Sequence, residues 1–147
     1  VLGYNEGLME RRFWQPLVSK NGFPASKTPW GSISAVALET GDLVWSVPFG
    51  ETALGNTGDW NMGGLVTTST GYTIASGTRD AKARIFQTSN GKLITEIQLS
   101  APASSPPTPF TYGGCTYLAL NASGGKFLNF KRLGRGVEVY VNKACER

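Results

Sequence analysis

Short apolar stretches separated by polar turns run along most of the chain. From Ser32 onward they predict strands at 32–38, 43–47, 65–69, 72–76, 81–87, 93–99, 110–112, 116–121 and 137–141. The turns between them are rich in Gly, Asn, Asp and Thr, as in Glu39–Asp42 and Ser89–Gly91. Short strands joined by such tight turns form antiparallel meanders. The pattern therefore predicts an all-β fold.

The remaining segments sustain neither a period of 2 nor one of 3.6 residues. Residues 1–31 are predicted to be an irregular connecting segment. The stretches Gly50–Gly58, Ala101–Pro109 and Gly124–Gly136, rich in Gly, Ser or Pro, are predicted to be loops. The first residue is Val1 rather than Met, so we expect the chain to be a fragment or a processed product.

A weak internal repeat runs through the predicted strands. The segment 35–45 (AVALETGDLVW) aligns with 85–95 (IFQTSNGKLIT), so that Gly41 falls on Gly91. Both copies have the order strand, polar turn, Gly, strand. One four-stranded propeller blade takes up a repeat of about this length. By itself the repeat leaves a β-sandwich and a propeller open.

Composition agrees with a folded β protein. Apolar residues make up 40% of the chain and charged residues 16%, which excludes a disordered chain or a coiled coil. The net charge is +4, and basic residues are partly clustered towards the C-terminus, at Lys126, Lys131, Arg132, Arg135, Lys143 and Arg147. No known nucleic-acid-binding motif frames this cluster, so we interpret it as a solvated basic tail and expect no nucleic-acid partner.

Two residue types limit the chemistry. The chain has no His, which excludes Ser-His-Asp and Cys-His catalysis and His-ligated zinc. Cys115 and Cys145 are the only cysteines, too few for an all-cysteine zinc site. They form either one disulfide in an oxidising compartment or two buried thiols, and the sequence leaves both open.

Three motifs in fixed order resemble one enzyme family. The first is KTPWG at 27–31, followed by SAVALETGDLVWSVPFG. The second is NMGGLVTTSTGYTIASGTRDAKARIFQTSNGKL at 61–93, and the third is TPFTYGGCTYLALNASGG at 108–125. In order and spacing they are similar to the C-terminal part of pyrroloquinoline quinone (PQQ) dehydrogenases of the membrane-associated glucose and quinate branch. The likeness extends from about Pro16 to Val141.

The resemblance implies an eight-bladed β-propeller with four-stranded antiparallel blades, of which this chain would form a partial segment of about two. It implies a connecting segment at 1–31 and C-terminal propeller blades over 32–147. These blades would be a half blade at 32–50, a full blade at 59–100 and a closing blade at 107–141.

In the family, PQQ lies near the propeller axis beside a calcium ion that polarises its reactive carbonyl. A carboxylate base takes the proton of the substrate hydroxyl while hydride passes to the quinone. The catalytic and calcium-binding residues of the family lie in earlier blades. We therefore expect no catalytic and no metal-binding residue in this chain, which makes its own enzymatic activity uncertain.

The loop Gly58–Gly64 (GDWNMGG) matches a family stretch that approaches the cofactor. On this resemblance, Asn61 donates to a PQQ oxygen, Trp60 or Met62 covers a face of the ring, and Gly63 lets the backbone pass close to it. The alternative is that Asn61 is a turn residue and Trp60 a core residue.

Asp80, in GTRD, matches an acidic family residue on the substrate side of the active-site mouth, although an Asp that ends a turn needs no further role. Other positions depart from the family. The Asp of its A-x-D-x-x-T-G motif is Ala37 in one repeat and Gln87 in the other, and Thr95 stands where a second Trp is expected. A His and an Asp that follow Gly125 in the family are replaced by basic and apolar residues, which puts substrate binding by this tail in doubt.

Two functions follow from the sequence. In the first, the chain is the C-terminal segment of a periplasmic PQQ-dependent dehydrogenase that oxidises a sugar or alcohol hydroxyl and passes electrons to a quinone or a cytochrome. In the second, it is a non-catalytic, truncated propeller module that acts in binding or self-association. A partial ring exposes blade faces and strand edges, so in either case we expect it to contact the remaining blades or another copy of itself.

Overall fold

A computed structural model describes residues 4–5, 8–9, 17–124 and 133–145. The strands are β1 (Tyr4–Asn5), β2 (Leu8–Met9), β3 (Ser32–Val36), β4 (Leu43–Pro48), β5 (Asn61–Thr67), β6 (Tyr72–Thr78), β7 (Lys82–Gln87), β8 (Leu93–Gln98), β9 (Thr108–Tyr112), β10 (Cys115–Gly124) and β11 (Leu133–Val141). A short 3₁₀ helix, Lys143–Cys145, follows β11, and the described ranges contain no α-helix. Within those ranges, no helix is long and apolar enough to cross a membrane. The predicted all-β fold is confirmed.

The strands form antiparallel meanders. Sheets of two, four and three strands follow one another along the chain, as β3–β4, β5–β6–β7–β8 and β9–β10–β11. The short strands β1 and β2 pair with each other. Within each sheet, neighbours in space are neighbours in sequence, and every pairing is antiparallel. This is the arrangement that the spacing of strands and turns predicts.

The four-stranded sheet lies between the other two sheets. Adjacent residues of β6 belong to different cores, because successive side chains of a strand point to opposite faces. Ala75 packs in a core with Ile33 of β3, and Ile74 packs in a second core with Leu118 of β10. The first core also contains Phe49, Phe86, Trp45 and Val47, and the second Ala83, Leu99, Ala103, Leu120, Ala122, Val66, Ile85, Ile97 and Tyr140.

The internal repeat corresponds to two turns of the same construction. In the first turn the Ala37 N–H donates to the carbonyl oxygen of Asp42, and the Gly41 N–H donates to the carbonyl oxygen of Ala37. In the second turn the Gln87 N–H donates to the carbonyl oxygen of Lys92, and the Gly91 N–H donates to the carbonyl oxygen of Gln87. Gly41 and Gly91 have φ angles of 77° and 69°, a conformation that favours Gly.

The first boundary that differs from the sequence prediction is the start of β5. The predicted loop Gly58–Gly64 contains the first residues of this strand, since Asn61 pairs with Thr78. The register shifts between Asn61 and Gly64. A bulge with two glycines breaks the alternation of side chains, so the sequence pattern hides the strand.

The second difference is the start of β11. The predicted loop Gly124–Gly136 includes the first residues of β11, which begins at Leu133 and pairs there with Gly124. Another register shift lies between Ala122 and Gly124. Backbone pairing tolerates glycines that carry no alternating side-chain signal, and this explains the missed strand start.

Some sequence predictions fall on residues outside the described ranges. These are the basic residues Lys126, Lys131, Arg132 and Arg147 and most of the predicted irregular segment before residue 17. The described residues of the segment 1–31 are not wholly irregular. It includes the pair β1–β2 and an isolated bridge between Val18 and Pro24.

Cys115 and Cys145 form a disulfide, with their Cα atoms 5.9 Å apart. It joins the start of β10 to the 3₁₀ helix after β11. The sequence left open a disulfide or two buried thiols, and the structure contains the disulfide.

Candidate functional site

The residues singled out in the sequence lie at one end of the four-stranded sheet. β5 begins at this end and β6 finishes there, because Asn61 pairs with Thr78. Trp60 and Met62 flank Asn61 along the chain, and Asp80 follows Thr78 in the turn to β7. The predicted cofactor-side and substrate-side residues thus lie at the same end of one sheet.

The side-chain amide of Asn61 supports the bulge at the start of β5. Its Nδ2 donates to the carbonyl oxygen of Ser76 at 2.9 Å, and the N–H of Gly63 donates to its Oδ1 at 3.1 Å. Asn61 is solvent-exposed, as is Met62. An amide has two donor protons and two acceptor lone pairs, so these bonds leave capacity for a ligand.

Gly63 is required by the close contact between β5 and β6. A Cβ atom on Gly63 would lie 2.3 Å from the carbonyl oxygen of Ser76. A Cβ atom on Gly77 would lie 2.1 Å from the nitrogen of Gly63. The resemblance implies that Gly63 makes room for a cofactor, and in this structure the close approach is to the chain itself.

Asp59, Trp60 and Arg79 form a compact cluster beside Asn61. The Asp59 side chain is 3% exposed and that of Arg79 is 36% exposed. Arg79 Nε donates to both carboxylate oxygens of Asp59, at 3.0 and 2.8 Å, and its Nη2 donates to Oδ1. The guanidinium carbon lies 5.0 Å from the centre of the Trp60 ring. The hydrogen bonds and charge of Asp59 outweigh the effect of burial and raise the pKa of Arg79, so this cation stays charged.

Asp80 is the centre of a second, partly buried cluster. Its Oδ2 accepts from Arg84 Nη2 at 2.6 Å and from the Glu51 N–H at 2.8 Å. Its Oδ1 accepts from Thr78 Oγ1 at 2.6 Å and from the Lys82 N–H at 3.2 Å. Burial raises the pKa of Asp80, but these bonds and the Arg84 charge together outweigh it and lower the pKa below its ordinary value of 3.8. Both carboxylate oxygens therefore serve the protein's own structure.

Further ion pairs connect this second cluster to its surroundings. Arg84 Nε donates to Glu96 Oε1 at 2.7 Å, and its guanidinium carbon lies 5.7 Å from the centre of the Phe49 ring. Lys82 Nζ is 2.7 Å from Glu51 and 3.0 Å from Glu96. Because Glu51 follows β4 and Glu96 is on β8, the ion pairs tie the first sheet to the second.

The sequence analysis missed Asp59 and Arg79 beside Asn61, and it missed Arg84 as the buried structural partner of Asp80. The available signal was Asp59 itself, since an acidic residue directly before a Trp requires a partner if it is buried with it. The partner is far away in sequence, and only the pairing of β5 with β6 identifies it as Arg79.

The fold is similar to that of a solved enzyme. The quinohemoprotein alcohol dehydrogenase from Comamonas testosteroni matches 83% of this chain with a TM-score of 0.62 at 22% sequence identity, over 18% of its own length. The three stacked meanders are thus a partial segment of a β-propeller.

Comparison of the sequence with known proteins establishes the family. Residues 3–118 match the family described as PQQ: Glucose/ethanol/alcohol dehydrogenase, beta-propeller domain, and the chain belongs to this family. The quinoprotein glucose dehydrogenase of Escherichia coli (strain K12) is 31% identical over 122 residues, 74% of this chain. The quinate/shikimate dehydrogenase (quinone) of Acinetobacter baylyi is 29% identical over 126 residues, again 74% of this chain. The match spans 15% of the length of each of these relatives.

The family is PQQ-dependent, and the resemblance implies a calcium ion beside PQQ in its complete enzymes. The described residues contain no group of three or more His, Cys, Asp or Glu side chains that could hold a metal ion. Asp59 and Asp80 are each bonded to an arginine. This donor set does not fit calcium.

The same end of the sheet fits an anionic, planar group such as PQQ. The exposed Asn61 amide offers hydrogen bonds, and Met62, 40% exposed, offers an apolar surface. Arg79 is partly exposed beside them, and although Asp59 balances its charge, its guanidinium has more N–H groups than those that bond Asp59. These residues would hold one side of PQQ.

Proposed function

We propose that this chain is the C-terminal segment of a PQQ-dependent dehydrogenase that oxidises a sugar or alcohol hydroxyl. The observation that carries the proposal is the match of residues 3–118 to the PQQ dehydrogenase propeller family. Bound PQQ supplies the two-electron oxidant in such enzymes. The proposal includes a quinone or a cytochrome as the acceptor of the electrons from the complete enzyme.

The chain contributes propeller blades to this enzyme. We assign the two-stranded sheet to a half blade at 32–50, the four-stranded sheet to a full blade at 59–100 and the three-stranded sheet to the closing blade at 107–141. The strand numbers and the stacking of the sheets support this division. The segment 1–31 connects these blades to the preceding part of the propeller.

In this proposal Asn61, Trp60, Met62 and Gly63 line the cofactor, and Asp80 lies on the substrate side. Their common position at one end of the four-stranded sheet supports the assignment. The chain is not catalytically complete alone, because the resemblance places the catalytic carboxylate and the calcium ligands in other blades.

The disulfide supports a periplasmic location. Disulfides form and persist in oxidising compartments such as the bacterial periplasm and are rare in the cytosol. The bond between Cys115 and Cys145 therefore favours a chain that folds after export.

A second candidate function is a non-catalytic propeller module that acts by binding or self-association. The outer sheets favour it, because apolar side chains of β11 face solvent, with Val137 68% and Val139 55% exposed. In the first proposal, the remaining blades would cover this surface. In the second, another copy of the chain would cover it.

The two candidates are separated by the mass and activity of the native protein. We expect a natural chain longer than 147 residues that oxidises glucose, quinate or simple alcohols with an artificial electron acceptor after addition of PQQ and calcium. The purified 147-residue chain should show no turnover in the same assay. A native protein of 147 residues that self-associates and has no activity would favour the non-catalytic module. Turnover by the 147-residue chain would show that it is catalytically complete.

A further inference from the structure

Two arginines at the same end of the four-stranded sheet have matching surroundings. Arg79 pairs with Asp59 and lies 5.0 Å from the centre of the Trp60 ring. Arg84 pairs with Asp80 and lies 5.7 Å from the centre of the Phe49 ring. Each is thus a guanidinium held by a carboxylate over an aromatic ring. We call them the Arg79 clamp and the Arg84 clamp.

The two clamps differ in exposure. The Arg84 side chain is 5% exposed and Asp80 is 10% exposed, and Phe49 is a core residue. Arg84 also bonds Thr78 and Glu96, so its clamp is enclosed by the protein. The Arg79 side chain, by contrast, is 36% exposed although its carboxylate partner is buried.

Backbone contacts of Asp59 hold the Arg79 clamp in place. The N–H of Asp59 donates to the carbonyl oxygen of Phe49 at 2.9 Å. The backbone of Asp59 also lies so close to Gly31 that a Cβ there would be 2.1 Å from the Asp59 carbonyl oxygen. Asp59 is therefore fixed by the first sheet, and its bonds to Nε and Nη2 fix the plane of the Arg79 guanidinium. The centre of the Trp60 ring, on the next residue in the chain, is 5.0 Å from the guanidinium carbon.

We propose that Arg79 is a positioning residue that sets the orientation of the Trp60 ring beside Asn61, at the edge where the cofactor is bound. This inference rests on the proposed function, in which Trp60 and Asn61 line PQQ. A ring that is held in place before binding loses less freedom when the ligand arrives, which strengthens binding. Lys keeps the charge next to Asp59 but lacks the flat, forked donor set with which Arg79 bonds both carboxylate oxygens.

The test is PQQ affinity in the complete quinoprotein that carries this chain, measured by equilibrium dialysis with calcium present. Arg79→Lys should weaken PQQ binding about three- to tenfold, the scale of the freedom that one unrestrained side chain loses on binding. Arg84→Lys is the matched control, and it should lower the melting temperature while leaving PQQ affinity unchanged. All affinities are measured well below the melting temperature of each variant, so that a purely structural role leaves them unaltered.

A second variant keeps the test decisive if Arg79→Lys does not fold. The double substitution Asp59→Asn with Arg79→Gln replaces the partly buried ion pair by an uncharged amide pair, and it should also weaken PQQ binding. Wild-type affinity in a folded Arg79 variant, or an equal loss in Arg84→Lys, would overturn the positioning role and leave the proposed function intact. Failure of the wild-type protein to bind PQQ would instead overturn the proposed function, and this inference with it.

Discussion

The indole ring of Trp45 lies against the α-carbon of Gly91. Its Nε1 donates to the carbonyl oxygen of Thr88 at 2.8 Å, and a Cβ on Gly91 would be 2.6 Å from the ring. Trp45 is on β4, and Thr88 and Gly91 belong to the turn between β7 and β8. A strand of the first sheet is therefore docked on a turn of the second, and the repeated glycine provides the space for the ring.

Gly91→Ala should destabilise the protein more than Gly41→Ala. Both residues have positive φ, and an alanine there costs about 1–2 kcal/mol in conformational energy. The Cβ at position 91 also meets Trp45, whereas nothing lies within 4 Å of a Cβ at position 41. Overpacking of this kind adds about 1–3 kcal/mol. Urea denaturation of both variants gives the difference, and equal losses would show that Trp45 yields without cost.

Removal of the disulfide should destabilise the fold. The bond closes a loop between residues separated by 30 positions, for which the chain-entropy relation gives about 3–4 kcal/mol. Denaturation of the double variant Cys115→Ala with Cys145→Ala should show this loss, and adding a reductant to the wild type should reproduce it. The reductant should not affect the double variant. A wild type that is insensitive to reductant would mean that the closed loop contributes little to stability.

Asn61→Ala should weaken PQQ binding by the complete enzyme and also lower its melting temperature. The substitution removes the brace between Ser76 and Gly63 and, in the proposed site, a contact with PQQ. Bound PQQ would bury the exposed amide, and loss of one partner of a buried polar contact costs about 1–3 kcal/mol. Asp80→Asn should leave PQQ affinity nearly unchanged but lower the melting temperature, because it removes the charge that pairs with the buried Arg84, and its effect on catalysis should be on the substrate KM. A PQQ titration beside a thermal melt checks both variants. A lowered melting temperature with unchanged affinity in Asn61→Ala would leave this residue a structural role alone.

Stability at high pH should depend on Tyr140. Burial, together with the hydrogen bond to Glu138 and its charge, raises the pKa of Tyr140 from 10.0 to about 12. Because the folded-state pKa exceeds the unfolded one, the stabilisation is fully present below about pH 10 and is lost as the pH rises through 12. Thermal melts between pH 9 and 12 should therefore fall less steeply for Tyr140→Phe than for the wild type. Tyr112→Phe, at a tyrosine that is 75% exposed, is the control and should follow the wild type.

The strands were predictable wherever their side chains alternate or form short apolar runs. β7 and β8 were found nearly to their ends because the turn Ser89–Gly91 marks the boundary between them. The starts of β5 and β11 were missed because bulges and glycines remove the periodic signal there. At these two strand starts, backbone pairing with the neighbouring strand determines the structure, and no side-chain pattern marks it.

The site was less predictable than the fold. The resemblance identified Asn61, Trp60 and Asp80 as candidate site residues. The pairing of β5 with β6 brings all three to one end of the sheet. The partners of the buried carboxylates, Arg79 and Arg84, depend on which residues face each other across strands. Local sequence carries no such information, since a buried charge specifies that it has a partner but not where that partner lies in the chain.

The stacking of the sheets implies that stability is graded along the chain. Within the described ranges, the four-stranded sheet has a core on each face, while each outer sheet shares a core with it on one side. In such a stack each layer depends mainly on its immediate neighbours, as in a linear array of repeats. Opening should therefore begin at the two ends and reach the middle last. The amide protons of β6 and β7, enclosed between both cores, should be the slowest in the chain to exchange with solvent.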